Sequence, residues 1–316
     1  MNEPYSGKHL WIWQLASTLS GNVQEIIKLG HSLGLTGWIV KSHDGTTVWP
    51  QFAQVVKLLQ DAGFVVGSWG FVYGTNPAGE AQAAQISIDA GADWYVIDAE
   101  TSFEGNPQAA VQLGNALRAK NPNLPIAYAP FAVPSAHPTF PYKEFSAFCN
   151  VCLPQIYWID FGMALQTAID TSYSELATYS LPIVPVAQAY GTATAAQLLE
   201  FGTLTKAKGS VGITYWDAQS ANTQQLQAIG QTHEFSLVRS QPTPTSTTSA
   251  MPSDISPDAW YYAAVRDLLD RHIITAYHDG LFKPDQYITR AQAADWINRM
   301  RMYLEAEMAA KKLTLP

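Results

Sequence analysis

The feature that most constrains this 316-residue chain is a repeated change of element type. Between residues 8 and 231 a short β-rich run is followed by an amphipathic run, and the cycle occurs eight times. The strand candidates are His9–Leu15, Gly37–Ser42, Phe64–Phe71, Trp94–Asp98, Pro125–Pro130, Val151–Trp158, Ile183–Tyr190 and Gly209–Trp216. Asn22, Asn76 and Asn106 stand where N-caps are expected, the last two followed by Pro at the first helical position. Gly63 and Gly91 stand where helices should stop. Strict alternation of strand and helix implies parallel strands with crossover helices. Eight such units in about 225 residues predict an α/β chain with a (β/α)8 TIM barrel. An open doubly wound sheet is the competing arrangement, and no G-x-G-x-x-G follows the first strand to favour it.

Composition narrows the function classes. Asp, Glu, Lys and Arg make up 14% of the chain and the net charge is −8, while there are ten Trp and fifteen Tyr. The acidic balance argues against nucleic acid, whose binding needs Lys and Arg on phosphates. Low charge with many aromatic rings suits neutral, hydroxylated ligands such as sugars; a large core is the plainer explanation. No apolar run reaches the ~20 residues of a membrane span. Met1 to Leu10 shows no basic segment followed by an apolar one, so no signal peptide is expected, although a chain starting after a removed signal would read the same. The seven His are scattered, so neither a metal nor any other cofactor is expected. No G-x-S-x-G is present for a serine hydrolase. Cys149 and Cys152 form a lone C-x-x-C in an apolar stretch, read as two small buried residues with a redox pair as the alternative.

Three segments are expected: a barrel over 1–232, a linker over 233–252 and a small helical module over 253–316. The stretch QPTPTSTTSAMP, residues 241–252, is rich in Pro, Thr and Ser and should be extended. In the module, a helix over Trp260–Arg271 would put Ala264, Leu268 and Leu269 on one face, and a second helix would start at Thr289. The segment resembles the S-layer homology domain through Asp254, Trp260, Ala264, Ile273, Ile274, Tyr277, Asp279-Gly280, Phe282, Pro284 and Ile288-Thr289-Arg290-Ala291. Gln292 and His272 depart from that family's usual Glu and Gly, and one repeat is visible where three are usual. The resemblance implies binding to cell-wall polysaccharide, with Thr289 and Arg290 facing the glycan. It also implies a cell-surface location.

In a (β/α)8 barrel, chemistry sits at the C-terminal ends of the strands. Strand four ends Trp94-Tyr95-Val96-Ile97-Asp98-Ala99-Glu100, and alternation sends Val96, Asp98 and Glu100 to one face. At ~3.3 Å rise per residue, the two carboxylates leave the backbone about 6.6 Å apart. Such a pair suits glycoside hydrolysis: one carboxyl keeps a proton for the leaving oxygen and the other stays charged. Gln155 and Tyr157 on strand six, Gln188 and Tyr190 on strand seven, and Trp216 on strand eight should point into the mouth. So should Trp69 on strand three and Tyr128 on strand five. Trp216 is expected to form the floor under a sugar ring. Asp160 and Asp217 follow strands six and eight and are further candidates for the site, Asp217 as a substrate-binding residue. Lys41 and His43 follow strand two and read as solvated loop residues, or else as ligands for a substrate carboxylate.

The barrel resembles glycoside hydrolases of families 18 and 25. Family 18 carries D-x-x-D-x-D-x-E on strand four; Asp93, Asp98 and Glu100 match it and Val96 replaces one Asp. Tyr157 and Trp216 fit the same family. Family 25 shares the Asp-x-Glu but expects an Asp ending strand one, where this chain reads Trp11-Ile12-Trp13-Gln14. The resemblance implies that Glu100 is the general acid/base. It implies that Asp98 stabilises the transition state or orients a substrate acetamido group, with Tyr157 hydrogen-bonding nearby. The expected substrate is an N-acetylhexosamine glycan, most simply peptidoglycan. A barrel that binds glycan without cleaving it and a phage-type endolysin are the alternatives.

Overall fold

The computed structural model describes residues 3–235, 251–271, 273–274, 276, 281–290, 293–294, 296–297, 299–301 and 303–304. The chain divides into two compact units, Met1–Val238 and Arg239–Pro316. Among the described residues no helix is long and apolar enough to cross a membrane.

The first unit is a parallel barrel. Its strands are β1 Gly7–Ile12, β2 Gly37–Asp44, β3 Val65–Val72, β4 Trp94–Ala99, β5 Ile126–Ala129, β6 in two pieces (Val151–Cys152 and Gln155–Ile156), β7 Val186–Gln188 and β8 Gly212–Trp216. Each pairs in parallel with the next, and β8 pairs with β1 from Gly7–Gly212 to Leu10–Tyr215. Pro154 cannot donate to a ladder, and β6 is interrupted there. Its first piece pairs with β5 and its second with β7, and the bridges Phe131–Gln155 and Cys152–Ile183 complete the ring. Helices α1 Val23–Ser32, α2 Gln51–Asp61, α3 Pro77–Asp89, α4 Pro107–Lys120, α5 Tyr142–Ser146, α6 Leu165–Leu176, α7 Ala195–Ala207 and α8 Thr223–Gln231 follow the strands in turn.

The caps explain these boundaries. Asn22 accepts from the Gln24 and Glu25 amides, Asn76 from Gly79 and Asn106 from Ala109. Gly63 and Gly91 take φ of +90° and +107°, which only glycine adopts without strain. Thr194 and Asn222 each close a reciprocal capping box, with Gln197 and Gln225.

Strand alternation sorts the core into an inside and an outside. Inside the barrel, Trp11, Ile39, Trp69, Trp94, Val96 and Val186 pack together with Ala127 and Ala129. Outside, two further clusters fill the space between strands and helices. Phe235 is buried in one of them, so barrel packing runs past the expected boundary at 232. At the bottom of the barrel, the buried Lys8 Nζ donates to the Leu33 carbonyl at 2.6 Å and to the Ile229 and Gly230 carbonyls at 2.9 and 3.4 Å. It ties the first strand to the last turns of the first and last helices, where cations are favoured. Burial still pulls its pKa down to about 8.

The second unit has its own small core of Ile255, Val265, Leu269, Ile273 and Ile274. Helix α9 spans Tyr262–Asp270 and is shorter than expected. Val265 and Leu269 are its buried residues, since the face follows the spacing Val265–Leu268–Leu269 and leaves Ala264 exposed. The Asp254 carboxylate accepts from the Phe282 and Lys283 amides at 2.8 and 2.6 Å. Most of the expected linker, together with His272, Tyr277, Asp279-Gly280, Ala291 and Gln292, lies outside the described residues.

Candidate active site

The mouth of the barrel holds an open cleft lined by acidic, amide and aromatic side chains. Asp98 and Glu100 line it from the end of β4, and Gln155 and Tyr157 from β6. β4 ends at Ala99, yet Glu100 keeps an extended backbone (φ −132°, ψ −147°), so both carboxylates remain on one side of the strand. Gln155 Nε2 donates to Asp98 Oδ1 at 3.1 Å, to Glu100 Oε1 at 3.4 Å and to the Ala129 carbonyl at 3.2 Å. One side-chain amide therefore spans the two carboxylates and fixes them to β5.

Burial holds the Asp98 carboxyl well above the usual carboxylate range, and the nearby Glu100 adds to that rise. Lys41 and the Gln155 amide oppose it, and Asp44 reinforces it. Burial, with Asp98, Tyr190 and Glu100 adding to it, drives the Tyr157 phenol well upward, and the ring lines the cleft beside the pair.

The floor is aromatic. Trp216 and Trp11 both line the cleft, 5.5 Å apart and edge to face. Trp69 lies beneath them, buried, at 5.4 Å from Trp11 and 5.3 Å from Trp216. Its indole N–H donates to the Ile12 carbonyl at 3.1 Å, and that of Trp11 to Thr214 Oγ1 at 3.0 Å. Trp13 continues the floor outward, 6.3 Å from Trp216. Trp11 was not among the expected site residues, although it sits two residues before Trp13 on the same strand face.

Other expected residues are placed elsewhere. Tyr128 points outward: it stacks on Phe145 at 5.4 Å and hydrogen-bonds Ser146 Oγ at 2.9 Å. Ala127 and Ala129 take the inward positions and pack with the barrel's inner tryptophans. Gln188 and Tyr190 are turned toward Asp160: Gln188 Nε2 donates to its Oδ1 at 2.9 Å and the Tyr190 hydroxyl to its Oδ2. They shape the loop after β6, and Tyr190 meets Tyr157 edge-on at 5.7 Å. Asp217 follows Trp216 across a cis peptide bond and is fully buried, with its pKa raised by that burial and opposed by Ser220. Asp93 sits at the opposite end of β4, accepting from the Val66 amide at 2.7 Å.

Lys41 and His43 are buried within β2 instead of being solvated. A bulge between them shifts the register. It sends Lys41 inward and His43 outward, where His43 Nε2 meets the Tyr95 hydroxyl at 2.7 Å. Gly70 makes that possible, since a Cβ there would lie 1.8 Å from His43 Nε2. Cys149 and Cys152 are free and buried; burial raises both thiols, Cys152 to about 12, which disfavours reactive thiolates. In the second unit Thr289 and Arg290 are both exposed.

Comparison with known proteins gives a separate result for each unit. Residues 253–294 match the S-layer homology domain. The chain is 42% identical over 57 residues to outer membrane protein alpha of Thermotoga maritima, and spans 14% of that protein's length. Among solved structures, the class V chitinase from Nicotiana tobaccum aligns with TM-score 0.57 at 10% identity, over 73% of this chain and 99% of the other. A glycoside hydrolase family 18 N-acetylglucosaminidase from Paenibacillus barengoltzii aligns with TM-score 0.52 at 9% identity, over 72% and 99%. The spore cortex-lytic enzyme SleL from Bacillus megaterium QM B1551 gives 0.52 at 9%, over 72% and 74%. The chain therefore combines a barrel with the fold of family 18 chitinases and an S-layer homology domain.

Proposed function

We propose that the barrel hydrolyses a glycosidic bond in an N-acetylhexosamine-containing glycan, and that the S-layer homology region holds it to the cell wall at the cell surface. Peptidoglycan is the simplest substrate that satisfies both halves. The observation that carries the reading is the Asp98–Glu100 pair, bridged by Gln155 over a tryptophan floor. Indole faces suit the apolar side of a pyranose ring, and the phenol and amide at the rim suit its acetamido and hydroxyl groups. In this mechanism Glu100, as the general acid, gives its proton to the leaving glycosidic oxygen. Asp98, left as a carboxylate, stabilises the positive charge that develops on the sugar or orients the acetamido group that attacks it. Tyr157 donates to the same centre. Thr289 and Arg290, both exposed, are the proposed wall-facing residues.

The test is release of reducing ends from chitin oligomers and from peptidoglycan, wild type beside Glu100→Gln. Loss of a general acid costs about 10²–10⁴ in rate, so the variant should fall by at least about 100-fold with its fold intact. An unchanged rate removes Glu100 from the mechanism. Val96, at a position where a carboxylate would complete the strand-four pattern, favours a second reading in which the barrel binds glycan without cleaving it. Heat of binding to oligosaccharide with no new reducing ends would identify that case. Sedimentation with purified walls, for the full chain against a chain ended near residue 240, tests the anchor separately.

A further inference from the structure

One cation lies inside the barrel beneath the carboxylate pair. On the inner face of β2, β3 and β4, Lys41, Trp69 and Val96 are register partners in one row, and Asp44, Phe71 and Asp98 in the next. The Lys41 side chain is 5% exposed, so it is almost wholly withdrawn from solvent. Its Nζ lies 4.7 Å from the centre of the Trp69 ring and 4.5 Å from that of Trp49. It donates to Asp44 Oδ2 at 2.7 Å, while Asp44 Oδ1 accepts from the Tyr73 hydroxyl at 2.8 Å. Burying an ammonium is costly unless it is compensated, and two aromatic faces and one carboxylate compensate this one.

We infer that Lys41 is a positioning residue for the proposed catalytic pair: a buried ammonium, fixed between Trp49, Trp69 and Asp44 on the row of Val96, that sets the charge balance felt by Asp98 one row above it. The inference deepens the glycosidase reading and rests on it for its importance, though the electrostatics stand without turnover. The groups facing Asp98 are Glu100 from its own strand end, Lys41 and Asp44 from β2, and Tyr157 and Gln155 from β6. Among these Lys41 is the cation. Its ammonium favours the ionised pair and Asp44 disfavours it, so the two ends of one ion pair push in opposite directions.

That opposition separates charge from structure. The experiment is a carboxyl-carbon NMR titration of the full chain labelled at aspartate, with the Asp98 signal assigned by its loss in Asp98→Asn. In Lys41→Met the Asp98 titration should move upward, as loss of an opposite charge implies. In Asp44→Asn it should move downward, and Lys41→Arg should stay near wild type. Shifts in the same direction in Lys41→Met and Asp44→Asn, or no shift in either, would overturn the inference. If Lys41→Met does not fold, Asp44→Asn decides alone: a downward move supports the inference and any other result rejects it. No substrate is needed, so a wild type that releases no reducing ends would reject the glycosidase reading without touching this measurement. With an active wild type, the pH–rate profile of Lys41→Met should move in the same direction as its titration, with kcat changed more than KM.

Discussion

Lys8 offers a quantitative check on how the barrel is closed. Substituting Lys8→Met keeps much of the aliphatic stem and removes the ammonium. The carbonyls of Leu33 and Ile229 then lose donors at 2.6 and 2.9 Å, and that of Gly230 a weaker one at 3.4 Å. A hydrogen bond to a charged group is worth about 1.5–3 kcal/mol, so the two short bonds represent about 3–6 kcal/mol. Against this, the variant no longer buries a charge, a cost visible in the fall of the Lys8 pKa from 10.5 to about 8. The net expectation is a loss of up to about 3 kcal/mol. Urea unfolding of the full chain, followed by the near-ultraviolet circular dichroism of the barrel tryptophans, reads this as a lower midpoint with an unchanged slope. A second signature comes from proton linkage. Because the folded pKa lies below the unfolded one, the unfolded chain binds more protons between about pH 8 and 10.5, and wild-type stability should rise with pH across that window. The variant should lack this rise. A midpoint equal to or above that of wild type, or the same pH slope in both proteins, would show that the two helix ends do not depend on Lys8.

Acid should weaken the barrel through His9 and His43, whose pKa values burial pulls down to about 4 from 6.5. Each binds a proton more readily when unfolded, so stability should fall as pH drops from 6.5 towards 4, with a limiting slope of about 1.4 kcal/mol per pH unit for each group; a flat midpoint over that range would refute their burial as neutral rings. Tyr128→Phe should cost about 1 kcal/mol through loss of the Ser146 bond and leave glycan hydrolysis unchanged, because the ring packs outside the barrel. A large loss of activity in that variant would contradict its placement.

Much of this architecture was readable in the chain because strand alternation and helix caps are local signals. Asn22, Asn76 and Asn106 cap as their sequence context implies, and β4 carries Val96, Asp98 and Glu100 on one face as a period of two demands. What could not be read was parity wherever a strand is short or irregular. The four-residue β5 gives no anchor for inside and outside, so a large Tyr128 looked like a pocket residue and two alanines like nothing. The choice is made by the rest of the inner cluster, where the two alanines pack with Trp11 and Trp69. In β2 the bulge reverses parity between Lys41 and His43 and turns an apparent loop into a buried strand end. Trp11 escaped notice because an apolar residue in a strand carries no mark that separates floor from core.

The three floor indoles lie 5.3 to 5.5 Å apart in pairs, each crossing its neighbour at 64° to 72°. Transition dipoles so close and so steeply inclined mix their excited states, and the mixed bands carry strong rotational strength of opposite sign. The protein therefore contains its own optical gauge. A ring that settles on Trp216 and tilts it by a few degrees changes that couplet directly, with no label attached and no bond broken.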